Sequence, residues 1–88
     1  VFIIGNGGSA ANASHMANDL SKRRFEDESL LFRVMSLTDN VAWITATGND
    51  FGYDAIFTNQ LRNLLQPEDR VIAISSSGNS PNIVKAIE

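Results

Sequence analysis

The sequence contains no cysteine, so neither a disulfide nor a thiolate-bound metal can hold it together, and the composition suits a cytoplasmic protein. Positive charge is also scarce: seven Lys and Arg against ten Asp and Glu give a net charge of −3. No basic cluster is interleaved with aromatics, which argues against a nucleic-acid interface. The one basic run, Lys22-Arg23-Arg24, falls late in an apparent helix, where it complements the negative end of the helix dipole. Long apolar runs are missing as well, and none approaches the roughly 18–20 residues of a membrane span. With 88 residues the chain has length for one domain at most, with a small core. Val1 opens inside an apparent strand without an initiator Met, and Glu88 closes inside an apparent helix, so the expectation is the central portion of a longer chain.

What is present begins with Val1-Phe2-Ile3-Ile4, an apolar run of the kind that forms a buried parallel strand, followed by Gly5-Asn6-Gly7-Gly8 and Ser9. The glycines permit a tight turn and a close approach of backbone to a ligand. Ser9 is expected to cap a helix, which would aim unpaired N–H groups and the positive end of the helix dipole at one point, a site suited to phosphate.

Ala13, Met16, Ala17 and Leu20 recur at helical spacing, so a helix from Ser9 to about Arg24 is expected with that stripe on the core. His15 and Asp19, four apart, point together away from the stripe, toward solvent or a subunit neighbour. A charged loop at 25–29 leads to a second strand over Leu30 to Leu37, and Asn40 is expected to cap a short helix halted at Gly48. Asn49-Asp50-Phe51-Gly52 reads as a turn. A helix from Tyr53 then carries Phe57, Leu61, Leu64 and Leu65 on one face until Pro67. Val71-Ile72-Ala73-Ile74 is a further buried-strand run. It breaks into Ser75-Ser76-Ser77-Gly78-Asn79-Ser80-Pro81, and Ile83, Val84 and Ile87 begin the last helix. Apolar strand, small polar turn and helix thus occur twice, which predicts an open α/β sheet with both turns facing one pocket at the carboxyl ends of the strands.

Several motifs compete. Gly5 to Ala10 satisfies G-x-G-x-x-A, with Asp39 where a dinucleotide fold places an acid for the ribose. Against a dinucleotide stands the second turn, whose serines, Gly78 and Asn79 offer hydroxyl and backbone donors that can surround one phosphate group. His15 and Asp19 can share a metal ion, serve as an acid/base pair, or simply face solvent. Asp50-Phe51-Gly52 matches the kinase triplet, but no glycine-rich hairpin, paired lysine or catalytic loop accompanies it. Trp43, Phe51, Tyr53 and Phe57 are expected in the core or at subunit contacts.

With Gly-Asn-Gly-Gly-Ser-Ala-Ala-Asn-Ala-Ser-His at 5–15, Thr-Gly-Asn-Asp-Phe-Gly-Tyr at 47–53 and Ile-Ser-Ser-Ser-Gly-Asn-Ser-Pro-Asn at 74–82, the chain resembles a sugar isomerase (SIS) domain of the phosphoheptose isomerase type across essentially all 88 residues. The resemblance implies a three-layer open parallel sheet, Rossmann-like or flavodoxin-like, with helices on both faces, of which residues 1–88 are a partial SIS domain. It implies isomerisation of sedoheptulose 7-phosphate to D-glycero-D-manno-heptose 7-phosphate by a cytoplasmic homotetramer, for lipopolysaccharide or other heptose-containing glycans. No membrane and no direct nucleic-acid partner are expected.

Carried over by residue, Ser75, Ser76, Ser77 and Ser80 would bind the phosphate. Asn6, Gly7 and Gly8 would line the sugar end, and Asn49 with Asp50 would contact substrate hydroxyls. His15 would be a zinc ligand. Asp19 stands where the family has a glutamate that serves as catalytic base and metal contact, one methylene longer than the residue here. Related SIS domains that keep the phosphate turn without catalysis act as binding or regulatory modules, including a kind that assists replication initiation, and supply the alternative reading.

Overall fold

The opening apolar run becomes a central strand, β1 (Phe2–Gly5), buried along its whole length in a computed structural model that describes residues 1–22 and 33–87. Two parallel neighbours explain why no polar residue interrupts it. On one side β2 (Met35–Ser36) pairs through Phe2↔Met35 and Ile3↔Ser36, and on the other β3 (Val71–Ile74) pairs from Phe2↔Val71 to Gly5↔Ile74. The order is β2-β1-β3.

The two-residue period of β1 divides the core. Ile3 points to the face covered by α1 (Gly8–Lys22), against Ala13 and Ala17, whose short side chains let the helix lie close to the sheet. Phe2 and Ile4 point to the opposite face. There they meet Leu37, then Ile56, Phe57 and Leu61 of α3 (Ile56–Leu64) and Ile83 of α4 (Pro81–Ile87). Helices therefore cover both faces, as expected for an open α/β sheet. From β1 the chain passes through α1 to β2 and then crosses back, through α2 (Val41–Phe51) and α3, to place β3 beyond β1. That reversal opens a crevice between the carboxyl ends of β1 and β3, the place where open α/β sheets bind ligands.

Local expectations fare unevenly. Asn40 caps α2 as expected, its side chain accepting from the Trp43 N–H at 3.1 Å. Gly48 does not halt that helix. A glycine costs only about 1 kcal/mol in a helix interior, and α2 runs on through Asn49 and Asp50, which are helical rather than part of a turn. The stop is Gly52, at φ +98°, whose N–H donates to the Thr47 carbonyl. A 3-10 turn, Tyr53–Ala55, then precedes α3.

Ser9 is not the cap of α1, which begins one residue earlier at Gly8. Met16 is exposed at the margin of the α1 stripe and Leu20 is half-buried, because the contact with the sheet is made through Ala13 and Ala17. The strand expected over 30–37 is only Met35–Ser36, with Leu30 to Phe32 outside the described residues. Leu65 is exposed just past the end of α3. β3 is only partly covered: Ile72 and Ala73 are exposed, since β3 is an edge strand among the described residues. Arg23, Arg24 and the loop at 25–29 lie outside the described residues.

Gln60 was invisible to a pattern of apolar positions. It is 2 % exposed, and its Nε2 donates to the carbonyls of Leu37 at 2.9 Å and Ile56 at 3.0 Å. Both amide hydrogens are thereby paired, and α3 is tied to the residue that follows β2.

Gly5, where β1 meets the glycine turn, is required for space. A Cβ there would lie 2.8 Å from the Ser9 carbonyl oxygen in the first turn of α1, and backbone cannot swing aside as a side chain can. Gly5→Ala is expected to destabilise the full-length protein by about 1–3 kcal/mol. Chemical denaturation beside wild type checks this, and an unchanged midpoint would contradict it.

Candidate functional site

The two small polar turns meet at the crevice. In the first, Gly7 takes φ +54°, and the Ser9 and Ala10 N–H groups bond back to the carbonyls of Asn6 at 2.8 Å and Gly7 at 3.0 Å, which winds the chain directly into α1. In the second, Gly78 takes φ +72°. Ser75 Oγ accepts from the Gly78 N–H and Ser77 Oγ from the Asn79 N–H, each at 3.1 Å. These hydroxyls brace the loop as acceptors and lie 3.5 Å from each other, so that one of them donates to the other and one hydrogen remains to donate elsewhere. The Ser80 carbonyl accepts from the Ile83 and Val84 N–H groups and so starts α4.

Between the turns lies a cleft of about 80 Å³, lined by Asn6, Ser9, Ile74, Ser75, Ser76 and Ser80. Four serines and an asparagine thus line one small space beside the N-terminus of a 15-residue helix. The walls carry no carboxylate, and hydroxyls with helix N–H groups are the donors that suit a phosphate. Ser9, expected only to cap, is a wall of this cleft; its place one residue after a Gly-Gly pair was the available signal. A larger cleft, about 430 Å³, lies by Val71 at the amino end of β3. It is lined by Leu61, Leu65, Ala86 and neighbours and contains none of the expected site residues, whereas Asn6, Ser75, Ser76 and Ser80 line the smaller one.

Asn6 ties the site together. Its Nδ2 donates to Asn82 Oδ1 at 2.8 Å, and its Oδ1 accepts from Asn82 Nδ2 at 2.7 Å and from the Tyr53 hydroxyl at 3.0 Å. Asn82 is 1 % exposed. Neither partner was singled out as a site residue from sequence, because the contacts span 76 and 47 positions. Tyr53, expected in the core or at a subunit contact, is exposed apart from this bond, and Phe51 is exposed too, whereas Phe57 is core and Trp43 half-buried.

The remaining expected residues stand apart from the lining of this cleft. Gly7 and Gly8 form the exposed turn beside it. Asn49 and Asp50 are exposed in the last turn of α2, with Asn49 Nδ2 donating to Asp50 Oδ1 at 3.3 Å. His15 and Asp19 share the solvent-facing side of α1, as their spacing indicated. The Asp19 carboxylate lies 3.3 Å from Lys22 Nζ with about half of its side chain exposed, so water screens the pair strongly. Among the described residues no group of three or more His, Asp or Glu side chains gathers as a metal centre. Asp39, which the dinucleotide reading needed, is engaged by the Ser14 hydroxyl, itself 2.9 Å from Thr38 Oγ1. No helix among the described residues is long and apolar enough to cross a membrane.

Comparison with known proteins gives a consistent result. The family model of the SIS domain matches residues 1–88. A phosphoheptose isomerase of Rhodospirillum rubrum is 47 % identical over 88 residues, all of this chain and 46 % of the relative. A probable phosphoheptose isomerase of Thermoplasma volcanium is 43 % identical over the same length, 44 % of its own. The structure of a phosphoheptose isomerase from Neisseria gonorrhoeae superimposes with a TM-score of 0.82 at 37 % identity, covering 97 % of this chain and 44 % of that one. The chain thus spans somewhat under half the length of the curated relatives it matches.

Proposed function

The chain belongs to the SIS domain family, and from that premise we propose that the protein containing it is a phosphoheptose isomerase, converting sedoheptulose 7-phosphate to D-glycero-D-manno-heptose 7-phosphate through an enediol. The observation that carries the reading is the convergence of Ser9, Ser75, Ser76 and Ser80 with Asn6 on one cleft at the switch point of the sheet. The serine turn, Ser77 included, and the α1 N-terminus take the phosphate. Asn6, Gly7 and Gly8 face the sugar, and Asn49 and Asp50 meet its hydroxyls.

Aldose-ketose isomerisation moves a proton between neighbouring carbons, and a carboxylate within hydrogen-bond reach is the simplest group to take it from one and return it to the other. Asp19 holds that role in this reading. His15 and Asp19 present one nitrogen and one oxygen donor on adjacent turns of α1, a pair that fits half of a four-coordinate zinc set, with the remaining ligands supplied from outside the described residues. Zinc bound there would polarise a sugar oxygen. The protein is proposed to work in the cytoplasm as a homotetramer that places His15 near a subunit boundary, with products going to lipopolysaccharide or other heptose-containing glycans. Exposed Val41, Phe51 and Tyr53 supply apolar surface for assembly.

One observation favours a second reading, a phosphosugar-binding SIS module without catalysis: Asp19 is shorter than the family glutamate and already pairs with Lys22. The decisive experiment is turnover of sedoheptulose 7-phosphate by the full-length protein, with light scattering on the same sample. Isomerisation by a tetramer is expected. Binding of the phosphosugar without turnover would replace the enzyme by the module, and a stable, active monomer would refute the assembly.

A further inference from the structure

We infer that Asn82 and Tyr53 are positioning residues that hold Asn6 with both lone pairs of its Oδ1 occupied, so that Asn6 meets the substrate only through an amide N–H, as a donor to a sugar oxygen. The inference deepens the isomerase reading and rests on it for the identity of the substrate. A carboxamide has two lone pairs and two hydrogens. Asn6 Oδ1 accepts from Asn82 Nδ2 and from the Tyr53 hydroxyl, and one Nδ2 hydrogen goes to Asn82 Oδ1. Among the described residues the other hydrogen has no partner, and Asn6 lines the serine cleft.

The polarity of this open valence matters chemically. When a sugar carbonyl becomes an enediol, negative charge grows on its oxygen, and a fixed N–H donor stabilises that charge where a carbonyl lone pair would repel it. An asparagine free to turn about its last torsion could present either group. Asn82 removes that freedom from one side, from a buried position where breaking the reciprocal pair would leave unsatisfied polar atoms. Tyr53 adds the third bond from the turn ahead of α3. Because Asn82 belongs to α4 and Asn6 to the first turn, the same pair sets the spacing of the sugar and phosphate ends of the cleft.

The test uses the full-length protein and sedoheptulose 7-phosphate, at temperatures where circular dichroism shows each variant fully folded. Asn82→Asp is the informative change. While protonated, the new carboxyl reproduces the reciprocal pair, its O–H donating to Asn6 Oδ1 and its carbonyl accepting from Nδ2. Once ionised it cannot donate. Burial raises such a carboxyl, so kcat relative to wild type is expected to fall about tenfold or more between about pH 5 and 8, with KM little changed. Tyr53→Phe, at an exposed ring, is expected to lower kcat by a few-fold while folding is kept. A ratio to wild type that is flat with pH, or a loss confined to KM, would overturn the inference.

Failure of wild type to isomerise counts against the proposed function instead. In that event the side-chain amide signals of Asn6 decide: the sugar phosphate should shift one of the two protons strongly in wild type and neither selectively in Asn82→Ala. Equal behaviour of the two protons in wild type would refute the assignment.

Discussion

Asp19→Ala in the full-length protein is expected to lower kcat for sedoheptulose 7-phosphate by about 10²- to 10⁴-fold, the usual contribution of a positioned general base. Structural damage would not account for such a loss. Asp19 is exposed on a helix where alanine is the better helix former, and its one ion pair, to Lys22, is on the surface. Asp19→Glu separates the possibilities further. If the backbone places an aspartate correctly, the longer side chain overshoots and activity falls, since displacing a catalytic group by about 1 Å can cost 10²-fold. If the wild type is feeble because the carboxylate falls short, the same substitution raises turnover. Robust isomerisation by Asp19→Ala would show that the base is another residue. The measurement is steady-state turnover of wild type and both variants, with and without added zinc. A zinc response that disappears on His15→Ala would support the proposed ligand.

Ser76→Ala/Ser80→Ala is expected to weaken sedoheptulose 7-phosphate by about 10²-fold or more, because a hydrogen bond to a charged group contributes roughly 1.5–3 kcal/mol and two are removed. Both residues wall the cleft, and neither hydroxyl braces the loop as those of Ser75 and Ser77 do. The turn should therefore keep its shape in the double variant. In a thermal-shift experiment the phosphorylated sugar should protect wild type, the variant should lose that protection, and unphosphorylated sedoheptulose should do little for either. Equal protection of variant and wild type would move the phosphate elsewhere.

The fold was legible where one strong local signal decided the outcome. The run Phe2-Ile3-Ile4 suits a strand covered on both faces, and the repeat of strand, polar turn and helix at Val71 implies a parallel partner for it. Sequence pattern failed where tertiary context outweighed a local preference. Gly48 carries the local mark of a helix stop, yet its small cost is absorbed inside α2, and Asn49 and Asp50 are helical with it. The run Val71 to Ile74 looks the same on paper as β1, but burial depends on what lies alongside, and Ile72 and Ala73 are exposed. At the site, the meeting of the two turns at one cleft was readable because the pattern of strand, polar turn and helix occurs twice in the sequence. The Asn82 and Tyr53 contacts to Asn6 were not, since an asparagine and a tyrosine far apart in the chain carry no mark of pairing until the fold joins them.

That pairing has a bearing on the order in which the molecule can be built. Asn6 and Asn82 are separated by 76 positions, so their bond closes a loop that takes in β2, β3 and α1, α2 and α3, with β1 just ahead of it. The entropy of so long a closure grows only slowly with length, but it must be met before the two amides offer anything in return. Strand β1 and helix α1 can meet through Ile3, Ala13 and Ala17 over a short stretch of chain, whereas the reciprocal amides require α4 to have docked. A partly folded chain can therefore hold a well-formed β1 and α1 and still lack a set geometry for Asn6. The set geometry of Asn6 is thus a property of the completed topology, which a fragment ending before α4 lacks.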